Sequence, residues 1–220
     1  VKTMSKATGN NKDMDDLIAK LAGQLEPVKR FPHPLKLALI WLGIVAIYMG
    51  FVIAILGVRA DIATQLQSSE YLFEIALSLS LSLSAGFAVL WLCIPDMRGQ
   101  KWMIMPPIVL LLALMVWIAL RTTFDTFHIP QNFWNHCSSE SLLFAVVPSI
   151  SIFLLSWKGK TTHHWLLPFM TALAVGGMGY AGLRATCLSE DLGHILMYHT
   201  APYFIFAFLA TLLGQRLYRW

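Results

Sequence analysis

Charge is what this sequence has least of. Only 13% of its 220 residues are Asp, Glu, Lys or Arg, against 57% hydrophobic, where a water-soluble domain carries roughly a quarter charged residues. The deficit argues against an ordinary soluble domain and points to lipid as the main solvent. Chemical motifs are missing as well. There is no G-x-S-x-G, no H-E-x-x-H and no P-loop, which removes the commonest hydrolase, zinc-peptidase and nucleotide-binding readings. No repeat with a period of roughly 20–50 residues is visible, so a solenoid is not indicated. The three cysteines include no C-x-x-C pair, which argues against a structural zinc site. No secretory signal peptide is expected either. The first apolar run starts only after about 34 polar residues, and no small-residue cleavage site follows it.

What is present is apolar sequence in lengths that fit a bilayer, whose hydrocarbon core takes about 20 residues of helix. Six runs come close: Leu35–Leu56, Tyr71–Ile94, Trp102–Leu120, Ser141–Trp157, Trp165–Leu183 and Ile195–Gly214. The second contains L-S-L-S-L-S-L-S from Leu77 to Ser84. Strict alternation is ordinarily a strand signal, but a lone strand in lipid leaves its backbone groups unpaired. As a helix it puts Ser78 and Ser82 on one face and Ser80 and Ser84 nearly opposite, a pattern suited to packing between other helices. Gly177 with Ala181, and Ala172 with Gly176, read as small-residue packing rather than a phosphate loop, because no strand precedes them. Pro106, Pro107, Pro148, Pro168 and Pro202 fall inside or near the starts of spans, where kinks are expected. The fold class is therefore all-α: a polytopic bundle of six transmembrane helices.

The formal net charge is +4, and the basic residues flank the apolar runs. That pattern orients a membrane protein, and no direct contact with nucleic acid is expected from it. An even number of spans puts both termini on one side. With them fall Lys2, Lys6, Lys12, Lys20, Lys29, Arg30, Lys36, Arg98, Lys101, Lys158, Lys160, Arg216 and Arg219, while Arg59, Arg121 and Arg184 fall on the other. The asymmetry predicts cytoplasmic termini. Trp41, Trp91, Trp102, Trp157, Trp165 and Trp220 near the same ends read as an interfacial belt. The expected organisation is a cytoplasmic tail over residues 1–34, a transmembrane domain over 35–214 and a C-terminal tail over 215–220.

The N-terminal tail carries M-D-D-L-I-A-K-L-A-G-Q-L-E-P, Met14 to Pro27. At about 100° per residue, Met14, Leu17, Ile18, Leu21 and Leu25 share one stripe, with Asp15, Asp16, Lys20 and Glu26 elsewhere. Asp13, Asp15 and Asp16 are expected at the helix start, where carboxylates suit the dipole. Pro27 disfavours helix at Glu26. Helices under about 12–15 residues seldom hold alone, so the stripe wants a partner. The helix carries more acid than base, which favours a protein groove over an anionic lipid surface.

Two cysteines stand in short polar stretches, Cys137 in W-N-H-C-S-S-E and Cys187 in A-T-C-L-S-E-D. Both fall in loops opposite the termini, and both are expected to be water-facing. In an oxidising compartment they can form a structural disulfide. They can equally act as a switchable dithiol or a soft-metal site, with His128, His136 and His194 as auxiliary ligands. Chemistry alone leaves clamp and sensor open. Cys93, near the other end of its span, reads as an inert buried thiol. Glu74 lies about one turn inside its span, close enough to the interface to be hydrated. His199 reads as a core histidine with satisfied hydrogen bonds, and His163–His164 as a solvated pair.

The pattern D-D-L-I-x-x-L-A-x-x-L-x-P-V-x-R over Asp15–Arg30, six spans, one cysteine before the fourth, C-L-S-E-D before the sixth and a terminal G-Q-R-L-Y-R-W together resemble the NrsF-like anti-sigma factors. These are bacterial inner-membrane proteins that hold an extracytoplasmic-function sigma factor inactive. The resemblance spans nearly the whole chain and is most specific at those three motifs. It implies a regulator and not an enzyme, without a cofactor. Met14, Leu17, Ile18, Leu21 and Leu25 would face the sigma factor, and Cys137 and Cys187 would sense heavy-metal or oxidative stress. The polar S-S-E run after Cys137 departs from the pattern, which expects apolar residues sooner. The rival reading is a membrane thiol oxidoreductase or small transporter using the same cysteines.

Overall fold

The computed structural model describes residues 9–23, 31–94, 101–124, 128–132, 134–157, 159, 161 and 163–217. Among them there is helix and no strand. The chain divides into two compact units, Val1–Phe31 and Pro32–Trp220.

The first unit holds one helix, α1, Gly9–Gly23. It starts about a turn earlier than the sequence suggested, so Asp13, Asp15 and Asp16 stand inside it and its first turn carries no acid. An i,i+4 pair, Asp16 with Lys20 at 3.1 Å, lies on its surface. Leu25 lies outside the described residues.

The second unit contains six helical segments long and apolar enough to cross a membrane. In chain order its elements are α2 (Pro34–Leu56), α3 (Ile62–Gln65), α4 (Ser69–Leu92), α5 (Met105–Phe124), α6 (His136–Ser156), α7 (Leu166–Thr186), α8 (Leu192–His194) and α9 (Ala201–Leu217). A π-helical turn, Ile195–Thr200, joins α8 to α9. The alternating serines are helical, as expected, but only one of their faces is packed. Ser78 and Ser82 are fully buried, whereas Ser80 is exposed and Ser84 half-buried.

α7 is the centre of the bundle. In its most apolar window 78% of residues are buried, against 17% for the span beginning at Trp102. It packs on α4, α6, α9 and α2. Small residues make this possible. A Cβ at Gly177 would stand 2.5 Å from the Ser78 carbonyl oxygen and 3.0 Å from the Ser82 nitrogen, so only glycine admits this approach of α4. The Ser82 hydroxyl donates across the same contact to the Ala174 carbonyl, 2.6 Å away, which satisfies a polar group that lipid could not.

Three expectations need correcting here. Trp41 is no interfacial anchor: it is 1% exposed, and its indole N–H donates to the Pro148 carbonyl, 3.2 Å away on α6. Trp102, Trp157 and Trp165 are exposed as a belt requires, and Trp220 lies outside the described residues. The prolines mostly open helices instead of kinking them. Pro106, Pro107 and Pro168 sit in first turns, where no N–H is needed; Pro148 lies in a helix interior. The fourth span begins at His136, five residues before the expected Ser141. The S-S-E run explains why. Asn135 and Ser138 form a reciprocal capping box, so the polar residues after Cys137 are the start signal of α6 rather than loop.

Candidate functional site

The early start of α6 puts Cys137 in its first turn, and Cys187 is the residue that ends α7. Neither faces water as the sequence suggested. Cys137 is 1% and Cys187 9% exposed, and they form a small buried cluster with Tyr198. Both thiols are unbonded. Their sulfurs stand 3.6 Å apart, with Cys137 donating to Cys187. That hydrogen bond is the main reason the Cys187 thiol lies below its ordinary pKa, with help from His199 and against the effect of burial.

Histidines surround the pair. The Nε2 of His194 lies 3.5 Å from the Cys187 sulfur, and that of His136 lies 3.5 Å from the Cys137 sulfur. The His194 and His199 rings meet edge to face with centroids 5.3 Å apart. One donor atom from each of Cys137, Cys187, His194 and His199 lies within 4.8 Å of all the others, and Cys137 also belongs to a more exposed group with His136 and Glu140. His128 is not part of either group. Its Nδ1 approaches Asp191 at 3.4 Å, and Asp191 caps α8 by accepting the His194 N–H at 2.9 Å.

His199 departs from its expected role. It is fully buried, yet neither ring nitrogen has a hydrogen-bond partner. Cys93, at the far end of the molecule, is the inert thiol expected. It is buried against Gly159, and desolvation pushes its pKa up to about 12. His163 and His164 are half-buried.

Beside the thiols runs a chain of ion pairs that sequence reasoning missed, buried at Glu74, Arg184 and Arg59 and reaching solvent at Glu190 and Asp61. Glu74 is not hydrated; it is 1% exposed. Its carboxylate meets Arg121 Nη1 at 2.8 Å and Arg184 Nε at 3.0 Å, and it accepts the Tyr180 hydroxyl. Arg184 continues to Glu190 at 2.9 Å, and Glu190 to Arg59 at 2.7 Å. Arg59 also grips Asp61 at 2.7 Å. This grip raises the Arg59 pKa and holds the Asp61 carboxyl well below the carboxylate range. Each buried charge of the set, Arg59, Glu74 and Arg184, thus has an opposite charge beside it. Backbone contacts fix the same corner. Gly57, at φ +86°, turns the chain after α2, and the Arg59 N–H then donates to the Ala185 carbonyl at 3.0 Å. The Tyr71 hydroxyl donates to the Arg184 carbonyl at 3.1 Å.

Cys187 therefore sits midway between Arg184 and Glu190, three residues from each. The arrangement holds a pair of soft donors in a fixed, water-poor setting, and ties their loop to the ends of α2, α4 and α5. No spacing rule would have found the Glu74–Arg121, Glu74–Arg184 and Arg59–Glu190 pairs, because their members are far apart in sequence. The only sequence hint was that Arg59, Arg121 and Arg184 are the three basic residues assigned to one end.

No curated protein and no solved structure matches the chain. The family model for NrsF, negative regulator of sigma F, matches residues 21–220. With its all-helical fold and six apolar helices, the chain belongs to the NrsF family and is a negative regulator of a sigma factor.

Proposed function

We propose that this protein is an anti-sigma factor of the bacterial inner membrane that sequesters an extracytoplasmic-function sigma factor on its cytoplasmic tail and releases it when the Cys137–Cys187 pair meets heavy-metal or oxidative stress. The tail is residues 1–34, the membrane domain 35–214 and the C-terminal tail 215–220. The Lys/Arg asymmetry favours cytoplasmic termini.

The observation that carries this reading is the surface of α1. Met14, Leu17, Ile18 and Leu21 are each more than half exposed, at 52–57%, and lie on one stripe. The family model begins at residue 21, so of these four residues it includes Leu21. A groove on a protein that takes such a stripe at i, i+3, i+4 and i+7 gives the helix the packing it needs to persist. Occupying the sigma factor's surface keeps it from polymerase.

Release needs coupling between thiols and tail. The tail precedes α2 in the sequence, and the far end of α2 is held through Arg59 to Glu190, three residues beyond Cys187. A change at the thiols that shifts this loop alters the seating of α2. Tenfold weaker sigma binding requires about 1.4 kcal/mol of such coupling.

Co-purification from detergent tests the proposal. A sigma factor should accompany the full chain and be lost on deletion of residues 1–30 or with Leu21→Asp. Undiminished capture by Leu21→Asp refutes the stripe. Cys137→Ser and Cys187→Ser should alter induction of the sigma regulon by cadmium or dichromate; unchanged induction in both refutes the sensor.

A further inference from the structure

We propose that Cys137, Cys187, His194 and His199 form a closed four-donor site of two thiolates and two imidazoles for a single divalent ion of the zinc–cadmium kind. The thiol pair alone is the sensor reading. The further step is that two histidines complete the coordination shell, and that His136 does not belong to it. The proposal deepens that reading and rests on it only for the consequence of binding.

Distances are the first support. Zinc binds sulfur at about 2.3 Å and imidazole nitrogen at about 2.05 Å, so a tetrahedral site has edges of roughly 3.8 Å between sulfurs and roughly 3.5–3.6 Å between sulfur and nitrogen. The two sulfurs here are 3.6 Å apart, and Cys187 Sγ is 3.5 Å from His194 Nε2. All four donors fall within 4.8 Å of one another, so closing the shell around an ion takes side-chain adjustment and no rearrangement of helices.

The second support is His199. A fully buried ring whose two nitrogens make no hydrogen bond leaves polar groups unsatisfied. Such a group needs a reason, and a metal bond supplies one.

The third is the backbone. In an α-helix, residues five apart are about 140° apart around the axis, so His194 and His199 would face different ways. The π-helical turn at Ile195–Thr200, which begins directly after His194, hydrogen-bonds residues five apart and so reduces that angle. At its end the Ala201 N–H donates to the Leu196 carbonyl, five residues back. The widened turn is what brings the two rings to 5.3 Å. It also explains how the site forms without C-x-x-C spacing: the donors come from the start of α6, the end of α7, the end of α8 and the turn before α9.

Two thiols and two imidazoles suit zinc and the softer cadmium better than magnesium, calcium or manganese, which prefer oxygen. On binding, each thiol releases its proton to solvent and coordinates as thiolate.

The test uses the reduced full chain in detergent, titrated with Co2+ and then challenged with Zn2+ and Cd2+. One equivalent should give the ligand-field bands of tetrahedral cobalt and a sulfur-to-cobalt charge-transfer band, both abolished by either competitor. His194→Ala and His199→Ala should each weaken binding by more than the roughly 10–100-fold that follows loss of a ligand's outer partner, and His136→Ala should not. Wild-type affinity in either of the first two variants overturns the site, as does an octahedral cobalt spectrum. Should His199→Ala fail to fold, X-ray absorption of the zinc-loaded wild type decides: two sulfur and two nitrogen neighbours support the site, and any other set overturns it. Sigma capture is measured on the same preparations. Capture without metal binding overturns this site and leaves the anti-sigma reading standing. Metal binding without capture supports the site and overturns that reading.

Discussion

α1 and α7 are helices of 15 and 21 residues at opposite extremes of burial. Every described side chain of α1, from Asp13 to Gly23, is exposed. Fifteen residues of α7 are buried. Their apolar residues differ accordingly. α7 offers glycine and alanine where its neighbours press closest, because inside lipid the gain comes from close backbone approach rather than from hiding grease from water. α1 offers Met, Leu and Ile along one stripe, which is useful only to a partner that removes it from water. The difference separates two jobs. α7 finishes its packing within the chain, whereas in the function proposed above α1 finds its packing in another molecule.

The sharpest way to break the α7 side of this contrast is electrostatic. Glu74→Ala removes the carboxylate shared by Arg121 and Arg184. Breaking a buried pair from one side costs about 3–5 kcal/mol; because Arg184 keeps Glu190, the low end, about 3 kcal/mol, is expected from unfolding in detergent. A cost under about 1 kcal/mol would mean that the carboxylate is hydrated after all. A smaller effect follows from sterics. Gly177→Ala sets a methyl group against backbone atoms of α4 that cannot swing aside, and overpacking of this kind costs about 1–3 kcal/mol. An unchanged melting temperature would show that the two helices are not in contact at that point.

How much of this could be read from residues depended on whether the signal was local. The six spans were legible because length and apolarity are properties of one segment at a time. The alternating serines were placed in a helix by a general rule about lipid, and that held. The α6 start was misread because polar residues next to an apolar run look like loop, when N–D–S-type caps are polar by necessity. The thiols were placed at one end together, but their burial was not legible, since it comes from α6, α7 and the π-helical turn closing over them. His199 was misjudged for a related reason. Helical periodicity turns it away from His194, and nothing in I-L-M-Y-H-T announces a widened turn. The ion-pair chain needed three dimensions from the outset.

Asp61 gives a gentler test at the edge of the same network. Arg59 depresses its pKa in the folded protein, so its stabilising effect is full above the unfolded value of about 3.9 and is lost as pH falls through the lower folded value. Asp61→Asn should therefore lower the melting temperature slightly and by a constant amount from neutral pH down to about pH 4, with the gap to wild type narrowing at lower pH. A gap that widened on acidification would place Asp61 outside the pairing.

The smallest effect on stability is expected from the helix to which the proposed function gives the sigma-binding stripe. Leu17→Asp in α1 replaces a side chain that is 54% exposed, and exposed substitutions away from caps and buried contacts stay within about 0.5 kcal/mol. Unfolding of the membrane domain should not register it. Capture of the sigma factor should, because a charge placed in the stripe at Leu17, between Met14 and Leu21, must be desolvated wherever the stripe docks. The pairing of these two readouts is what gives the variant its value. If Leu17→Asp lowered the melting temperature by several degrees, α1 would be finishing its packing within the chain like α7, and the contrast between a self-sufficient helix and a partner-seeking one would fail.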